Sequence, residues 1–280
     1  MKLFFVLMTL LPLGACASTP GIPQGDIFPG EVRVLEFQQK DPEAKLFCRG
    51  LPVRYTVSGK NARAILIETY FSDLTPYNCE LKKGDKVLES YSYRVIPKDY
   101  EAEVLKVDMK KIKLNPKDQK RADEEQLVLN KIYASSNSDF FFKSPFQEPM
   151  TSYKTSIYGK KRVYNNHKKG QHLGIDYRAA IGEKVPAANR GKVVLARDLF
   201  YTGWTVLIDH GLEVYTNYGH LSKTLVEEGS IVEKGDIIGL SGNTGRTSGP
   251  HLHWGVKIQG QYVDGMSLVK ETEKTFKNDK

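Results

Sequence analysis

The second half of the chain is divided by closely spaced glycines, and this pattern most constrains its fold. Short runs rich in β-branched and aromatic residues, clearest at 193–195 and 204–208, alternate with turn-forming glycines between residues 146 and 265. Helix signals are nearly absent from this region. Strand-length segments separated by glycine turns are typical of all-β domains. We predict one over residues 146–265, with glycines at 182, 191, 203, 211, 229, 235, 239 and 242.

The first half shows the same mainly β character. Alternating runs at 53–57, 64–71 and 91–96 are separated by turn signals such as Ser58-Gly59, which predicts a small antiparallel β-sandwich-like domain. Asn115 and Pro116 provide an N-cap and a first-turn proline for one helix that runs to about Tyr133. We assign 31–135 to a β-rich accessory domain with this C-terminal helix, 136–145 to a linker and 266–280 to a polar tail.

The composition is that of a globular protein. The 280 residues are 40% hydrophobic and 26% charged, with 41 Lys+Arg, 33 Asp+Glu and a net charge of +8. These values exclude a disordered or collagen-like chain, and three Cys exclude a disulfide-dense mini-protein. No apolar run reaches the roughly 18–20 residues of a membrane span, which excludes a polytopic membrane protein. The charge alone is weak support for a nucleic-acid partner.

The N-terminus has the pattern of an export signal. Leu3–Leu11 is apolar except for Thr9, and Leu13-Gly14-Ala15-Cys16 resembles a bacterial lipobox, in which the Cys is lipidated and the chain is cut before it. We therefore expect a lipoprotein signal peptide at 1–15, lipidation of Cys16 and a flexible tether at 16–30. The expected location is the periplasmic face of the outer membrane. Cleavage after Ala17 and a buried N-terminal segment are the alternatives.

Export changes what the other two cysteines predict. Cys48 and Cys79 are candidates for one disulfide in an oxidising compartment, and two buried, unpaired thiols are the alternative. They cannot form a zinc site alone, because no other Cys and no His lies near either in sequence.

Four histidines fall into three short motifs in the second half. His172 and Asp176 flank Gly174, which would permit the bend that brings both side chains to one metal ion. His251 and His253 are two residues apart, so on a strand both would face the same side.

Three protein ligands and an open position are typical of catalytic zinc, which activates water and polarises a carbonyl. The imidazoles left over, including that of His220, could move protons during hydrolysis. Spacing does not decide which histidine of the 251/253 pair is the ligand.

The segment from 172 to 256 resembles the lysostaphin/LytM-type zinc metalloendopeptidases, which cut peptidoglycan cross-links. The resemblance implies that His172, Asp176 and His253 bind one Zn2+. It also implies that His220 and His251 form the catalytic pair that orients water and stabilises the tetrahedral intermediate. The matching motifs follow the family's order and are HLGIDY at 172–177, GEKVPA at 182–187, GKV at 191–193, IDHG at 208–211, YGHLS at 218–222, VEKGDIIG at 232–239, GNTGR at 242–246 and GPHLHW at 249–254.

The resulting hypothesis is an exported zinc endopeptidase that hydrolyses peptide cross-links of peptidoglycan. The positive charge then fits attraction to an anionic cell wall, and Arg246 could bind a carboxylate of the peptide stem. We expect His210 to be structural and Trp254 to face the core. The alternatives are a non-enzymatic wall-binding or amidase-activating protein of the same fold and a zinc protease that acts on a protein substrate.

Overall fold

A computed structural model describes residues 24–105, 114–136, 140–164 and 168–277. The predicted signal peptide, Cys16 and His167 lie outside the described residues. The described part is mainly β, which confirms the predicted fold class, and it contains the helices α1 (Pro116–Tyr133) and α2 (Gly265–Lys277). Neither helix combines the length and the apolarity that crossing a bilayer requires.

The N-terminal part consists of two sheets that share one core. The first has the strand order β1-β8-β7-β3-β4 and the second has the order β2-β6-β5. Leu35 and Ala64 from the smaller sheet pack with Leu46 and Tyr93 from the larger one, as the sandwich prediction requires. All pairings are antiparallel except β1 with β8. The strands are β1 (Asp26–Ile27), β2 (Val32–Gln38), β3 (Lys45–Cys48), β4 (Leu51–Val53), β5 (Tyr55–Ser58), β6 (Asn61–Ile67), β7 (Tyr77–Lys83) and β8 (Lys86–Val95).

A disulfide joins two neighbouring strands of this core. Cys48 on β3 and Cys79 on β7 are direct cross-strand partners, and their Sγ atoms are bonded. Both residues are almost fully buried. The bond therefore ties together strands whose cysteines are 31 positions apart.

The C-terminal part is built on one ten-stranded sheet. Its main order is β10-β13-β20-β17-β16-β15-β18, and β14, β19 and β21 pair beside this path. The strands are β10 (Lys154–Ser156), β13 (Ile175–Arg178), β14 (Lys184–Pro186), β15 (Gly191–Leu199), β16 (Gly203–Asp209), β17 (Val214–Thr224), β18 (Ile231–Val232), β19 (Ile237–Ser241), β20 (His251–Ile258) and β21 (Gln261–Val263).

The two parts are joined by a small sheet and a continuous core. β9 (Ala102–Leu105), from the N-terminal part, runs parallel to β11 (Lys161–Tyr164), which pairs in turn with β12 (Lys168–Gln171). Val32 and Ile65 belong to the same buried cluster as Trp254 and Leu268. The accessory region therefore has a core of its own and also contributes residues to the core of the C-terminal sheet.

Helix α1 has the predicted bounds, but its packing corrects the domain assignment. Asn115 caps it by accepting a hydrogen bond from the Asp118 backbone N–H at 2.9 Å. Its apolar face contacts the C-terminal sheet through Leu129, Ile132 and Tyr133, which pack against a cluster that includes Tyr215. The helix therefore belongs with the C-terminal sheet rather than with the accessory domain.

Three further boundary expectations are corrected. The expected polar tail at 266–280 is helical to Lys277, because Leu268 and Thr272 lie on a face that packs against the core. In the expected tether at 16–30, Ile27 is fully buried because β1 adds to β8. In the expected linker at 136–145, Phe142 packs into the shared core. In each case apolar residues that a flexible segment would leave exposed are covered by strands distant in sequence.

Candidate metal centre

Two adjacent strands and the loop before them place the three predicted metal ligands together. Asp176 on β13 and His253 on β20 are direct partners across an antiparallel pair, so their side chains share one face. His172 lies just after β12 and returns to the same face through a bend at Gly174. A Cβ atom on Gly174 would lie 2.7 Å from Cε1 of His253. This glycine is therefore required by the close approach of the histidine as well as by the bend.

The donor atoms have the spacing of a zinc site. Oδ1 of Asp176 lies 3.0 Å from Nε2 of His172 and 2.8 Å from Nδ1 of His253, and these two nitrogens are 3.3 Å apart. Two donors at tetrahedral positions about 2.1 Å from a zinc ion are about 3.4 Å apart. All three donors lie within 4.8 Å of one another. Two imidazoles and one carboxylate therefore fit one zinc ion and leave a position open, as catalytic zinc sites do.

The second nitrogen of His172 fixes the tautomer that metal binding needs. Nδ1 of this buried residue lies 2.9 Å from the carbonyl oxygen of Ile157 and 3.1 Å from Oγ of Ser156. A carbonyl oxygen can only accept, so Nδ1 carries the donated proton, and Nε2 is the nitrogen that faces Asp176 and His253. Hydrogen bonds of this kind orient imidazole ligands in metal sites.

His220 and His251 lie next to the three ligands. Their ring centres are 4.7 Å apart. Nδ1 of His220 donates to the carbonyl oxygen of Thr244 at 2.8 Å, and Nδ1 of His251 donates to that of Gly249 at 2.8 Å. Nε2 of His251 lies 3.7 Å from Oδ1 of Asp176.

The backbone and the protonation of His220 are both perturbed. Its φ of 61° lies in the left-handed region, which is rare for a residue with a Cβ and is found often at functional sites. Burial, followed by the proximity of His253, lowers the pKa of His220 to about 4. The imidazole is therefore neutral at neutral pH and can accept a proton.

A buried carboxylate lies at the centre of the cluster. Burial raises the pKa of Asp176, but hydrogen bonds from His172 and His253 outweigh this effect and hold it far below its usual range. Oδ2 lies 3.5 Å from a guanidinium nitrogen of Arg162 on β11. Arg162 in turn donates to Glu103 on β9 at 2.8 Å. Asp176 is therefore ionised. It is contacted by Arg162, whose guanidinium is also bound by Glu103 of the N-terminal part.

A groove of about 520 Å³ opens over the cluster. Besides three histidines, at positions 220, 251 and 253, it is lined by residues 246–250, by Tyr201 and Thr202 after β15 and by Arg178 at the end of β13. An extended peptide can therefore reach the open side of the donor cluster.

The remaining sequence expectations also have a place in the structure. His210 is fully buried, and its ring contacts the carbonyl of Arg190 at 2.8 Å and Oγ1 of Thr216 at 2.7 Å, which is a structural role. Trp254 is fully buried, as its alternation with His253 predicts. Sequence reasoning missed Arg162 and Glu103, because no local pattern indicates that two separate strands meet beside Asp176.

Comparison with known proteins agrees with this geometry. Residues 170–265 match the protein family described as Peptidase family M23. The segment contains all five of the residues grouped above, on the strands that bring them together. The match to peptidase family M23 therefore covers about a third of the chain and coincides with the strands that carry the site.

Named relatives and one solved structure are similar to this chain. Peptidoglycan DD-endopeptidase ShyA of Vibrio cholerae is 46% identical over 95 residues, which are 34% of this chain and 22% of that protein. DD-carboxypeptidase/endopeptidase Mpg of Neisseria meningitidis is 39% identical over 109 residues, which are 39% of this chain and 25% of that protein. The match thus spans about a quarter or less of these relatives. The crystal structure of a putative peptidase M23 from Pseudomonas aeruginosa has a TM-score of 0.67 at 25% identity and covers 87% of this chain and 95% of that one.

Proposed function

We propose that the chain is a zinc-dependent endopeptidase that hydrolyses the peptide cross-links of bacterial peptidoglycan. The observation that carries the proposal is the cluster of His172, Asp176 and His253, with donor separations of 2.8–3.3 Å, next to two further imidazoles. The substrate class is supported by the relatives ShyA and Mpg, whose names describe a peptidoglycan DD-endopeptidase and a DD-carboxypeptidase/endopeptidase.

The side chains divide into a binding group and a proton-handling group. His172, Asp176 and His253 would hold the zinc ion, which supplies Lewis-acid activation of water and of the scissile carbonyl. His220 and His251 line the groove, and a backbone carbonyl accepts the proton on each Nδ1, so the Nε2 atoms are the ones available for proton transfer. One imidazole can take a proton from the attacking water. The imidazolium formed in this way can stabilise the developing oxyanion or give that proton to the leaving amine.

The cellular location is also a proposal. The apolar segment 3–11 and the lipobox-like sequence that ends at Cys16 support export and a lipid anchor. The chain would then be held at the periplasmic face of the outer membrane, where its substrate lies. Metabolic labelling with a fatty acid tests this directly. The substitution C16S should remove the label and should alter or prevent cleavage of the signal peptide.

The function is tested by digestion of purified peptidoglycan and measurement of bound zinc. Asp176→Asn keeps the shape of the side chain but removes the ligand charge, so we expect loss of stoichiometric zinc and a fall in cleavage of at least about 100-fold. Asp26→Asn is the matched control, because Asp26 makes an exposed ion pair with Arg94 at 2.8 Å in the N-terminal sheet and does not line the groove. It should digest like the wild type.

The alternatives give different results in the same assay. A non-enzymatic activator would release no muropeptides by itself, and a protease for protein substrates would leave peptidoglycan intact while cleaving peptides. Full digestion by the Asp176→Asn variant without bound zinc would refute the zinc mechanism.

A further inference from the structure

Two arginines in the groove differ from the other arginines of the C-terminal part. Arg162, Arg190 and Arg197 each contact a carboxylate, at 2.8, 2.7 and 2.7 Å. Arg178 and Arg246 have no carboxylate partner among the residues that the structure describes, and both line the groove above the donor cluster. The described arginines of this part that lack a carboxylate partner therefore both lie where substrate would bind.

Each of the two arginines lies beside one of the proton-handling histidines. Arg178 on β13 is the direct cross-strand partner of His251 on β20. Arg246 follows Thr244, whose carbonyl accepts the hydrogen bond from His220, by two positions. A substrate group that contacts either arginine would therefore lie close to the scissile bond.

The position of Arg246 is supported by Tyr201 on the groove wall. Its backbone N–H donates to the Tyr201 carbonyl at 2.9 Å, and its guanidinium carbon lies 5.6 Å from the centre of the Tyr201 ring. Stacking on an aromatic ring limits the movement of the guanidinium while leaving its N–H groups available. This arrangement presents a guanidinium that is oriented before ligand binds.

The acidic groups of the groove do not neutralise these two cations. Its two described carboxylates are Glu103 and Asp176, and both contact Arg162, at 2.8 and 3.5 Å. Asp176 is also engaged by His172 and His253. The positive charge of Arg178 and Arg246 thus remains available to an anionic ligand.

We propose that Arg178 and Arg246 form a carboxylate-binding subsite, so that the groove selects peptides with a free carboxylate adjacent to the scissile bond. The proposal rests on the proposed function and specifies its substrate class. Guanidinium groups bind carboxylates through two parallel N–H···O bonds, which a neutral carboxamide cannot reproduce. The subsite would therefore discriminate cross-linked peptide stems with a free α-carboxylate from stems that are amidated at that position.

The test compares two synthetic cross-linked stem peptides that differ only in this group, carboxylate against carboxamide. For the wild-type chain we expect kcat/KM to favour the carboxylate by about 10-fold or more. Arg246→Gln and Arg178→Gln should each reduce this preference, and the double variant should abolish it. Arg246→Lys, which keeps the charge but loses the paired N–H groups, should give an intermediate preference.

The matched control is Arg197→Gln, because Arg197 pairs with Glu228 at 2.7 Å on the outside of the same sheet. It should retain the wild-type preference. Equal kcat/KM for the two peptides in the wild type, or an unchanged preference in the Arg178→Gln/Arg246→Gln double variant, would overturn the proposal and leave the proposed hydrolysis intact.

A binding measurement separates this inference from the hydrolysis itself. Calorimetric titration of both peptides into the chelator-treated chain should show tighter binding of the carboxylate form, weakened by salt and lost in the double variant. If neither peptide is hydrolysed but this preference is found, the endopeptidase proposal fails and the subsite stands. Equal affinities refute the subsite whether or not the chain is active.

Discussion

Replacement of Glu103 by Gln is expected to weaken zinc binding, although Glu103 does not touch any of the three proposed ligands. Glu103 accepts a hydrogen bond from Arg162 at 2.8 Å, and Arg162 reaches Oδ2 of Asp176 at 3.5 Å and Oγ of Ser156 at 3.3 Å. Ser156 in turn contacts Nδ1 of His172. The strand β9 therefore supports two of the proposed ligands through one guanidinium.

The size of the effect follows from burial and distance. The side chains of Glu103 and Arg162 are 27% and 21% exposed, so solvent screens their ion pair only in part. A hydrogen bond to a charged group in such a setting contributes about 1.5–3 kcal/mol. Loss of a residue that orients a metal ligand typically costs 10–100-fold in affinity. Because Glu103 acts through Arg162, we expect the lower end, a rise in zinc Kd of about 10-fold or about 1.4 kcal/mol.

The assay is competition for zinc between the protein and a chelator of known affinity, with activity as a second readout. Glu101→Gln is the control, because Glu101 precedes the same strand and makes only a distant contact with Lys160, at 3.9 Å and with 81% of its side chain exposed. In an Arg162→Ala background, Glu103→Gln should have little further effect, because the connection is already broken. A zinc Kd for Glu103→Gln equal to that of Glu101→Gln would show that Glu103 does not support the proposed ligands.

Three other substitutions test the same structure. Gly174→Ala should lower both the zinc affinity and the free energy of unfolding, because its Cβ would lie 2.6 Å from a backbone carbonyl oxygen of β20. Gly255→Ala is the control and should be tolerated, because its Cβ would meet nothing closer than 3.6 Å. Chelator competition and denaturant unfolding of the two variants measure the difference. Burial lowers the pKa of His210 to about 4. As the pH falls, this imidazole is therefore protonated in the unfolded chain before it is protonated in the folded one. The free energy of unfolding should fall by about 3 kcal/mol between pH 7 and pH 4. His210→Gln should remove that part of the pH dependence, and an unchanged slope would contradict it. Replacing both Cys48 and Cys79 by Ala should lower the free energy of unfolding by about 3.7 kcal/mol, since the bond closes a loop between residues 31 positions apart.

The site was more predictable from the sequence than the way the parts pack. The geometry of the His-x-His pattern on a strand, and of the bend at the glycine between His172 and Asp176, follows from neighbouring residues in the sequence. The start of α1 is likewise marked by its own N-cap residue. By contrast, the packing of α1 on the C-terminal sheet depends on contacts between Ile132 and Tyr215, which are 83 positions apart. The same holds for Glu103 and Arg162, which are separated by 59 positions.

Local patterns also misjudged the segments at the ends of the predicted domains. The segment 266–277 has many polar residues, and only the position of β2 shows which helix face is covered. The backbone N–H of Val32 on that strand donates to Oγ of Ser267 at 3.0 Å, and Arg33 lies 3.6 Å from Glu271. Contacts of this kind join residues more than 200 positions apart, and no local periodicity predicts them.

Mass spectrometry of the products released from purified peptidoglycan measures the proposed reaction itself. The proposed function predicts that the zinc-loaded chain converts cross-linked muropeptide dimers into monomers by hydrolysis of a peptide bond, and that Asp176→Asn does not. Release of whole stem peptides from the glycan, or intact dimers after incubation with a chain that holds stoichiometric zinc, would contradict it.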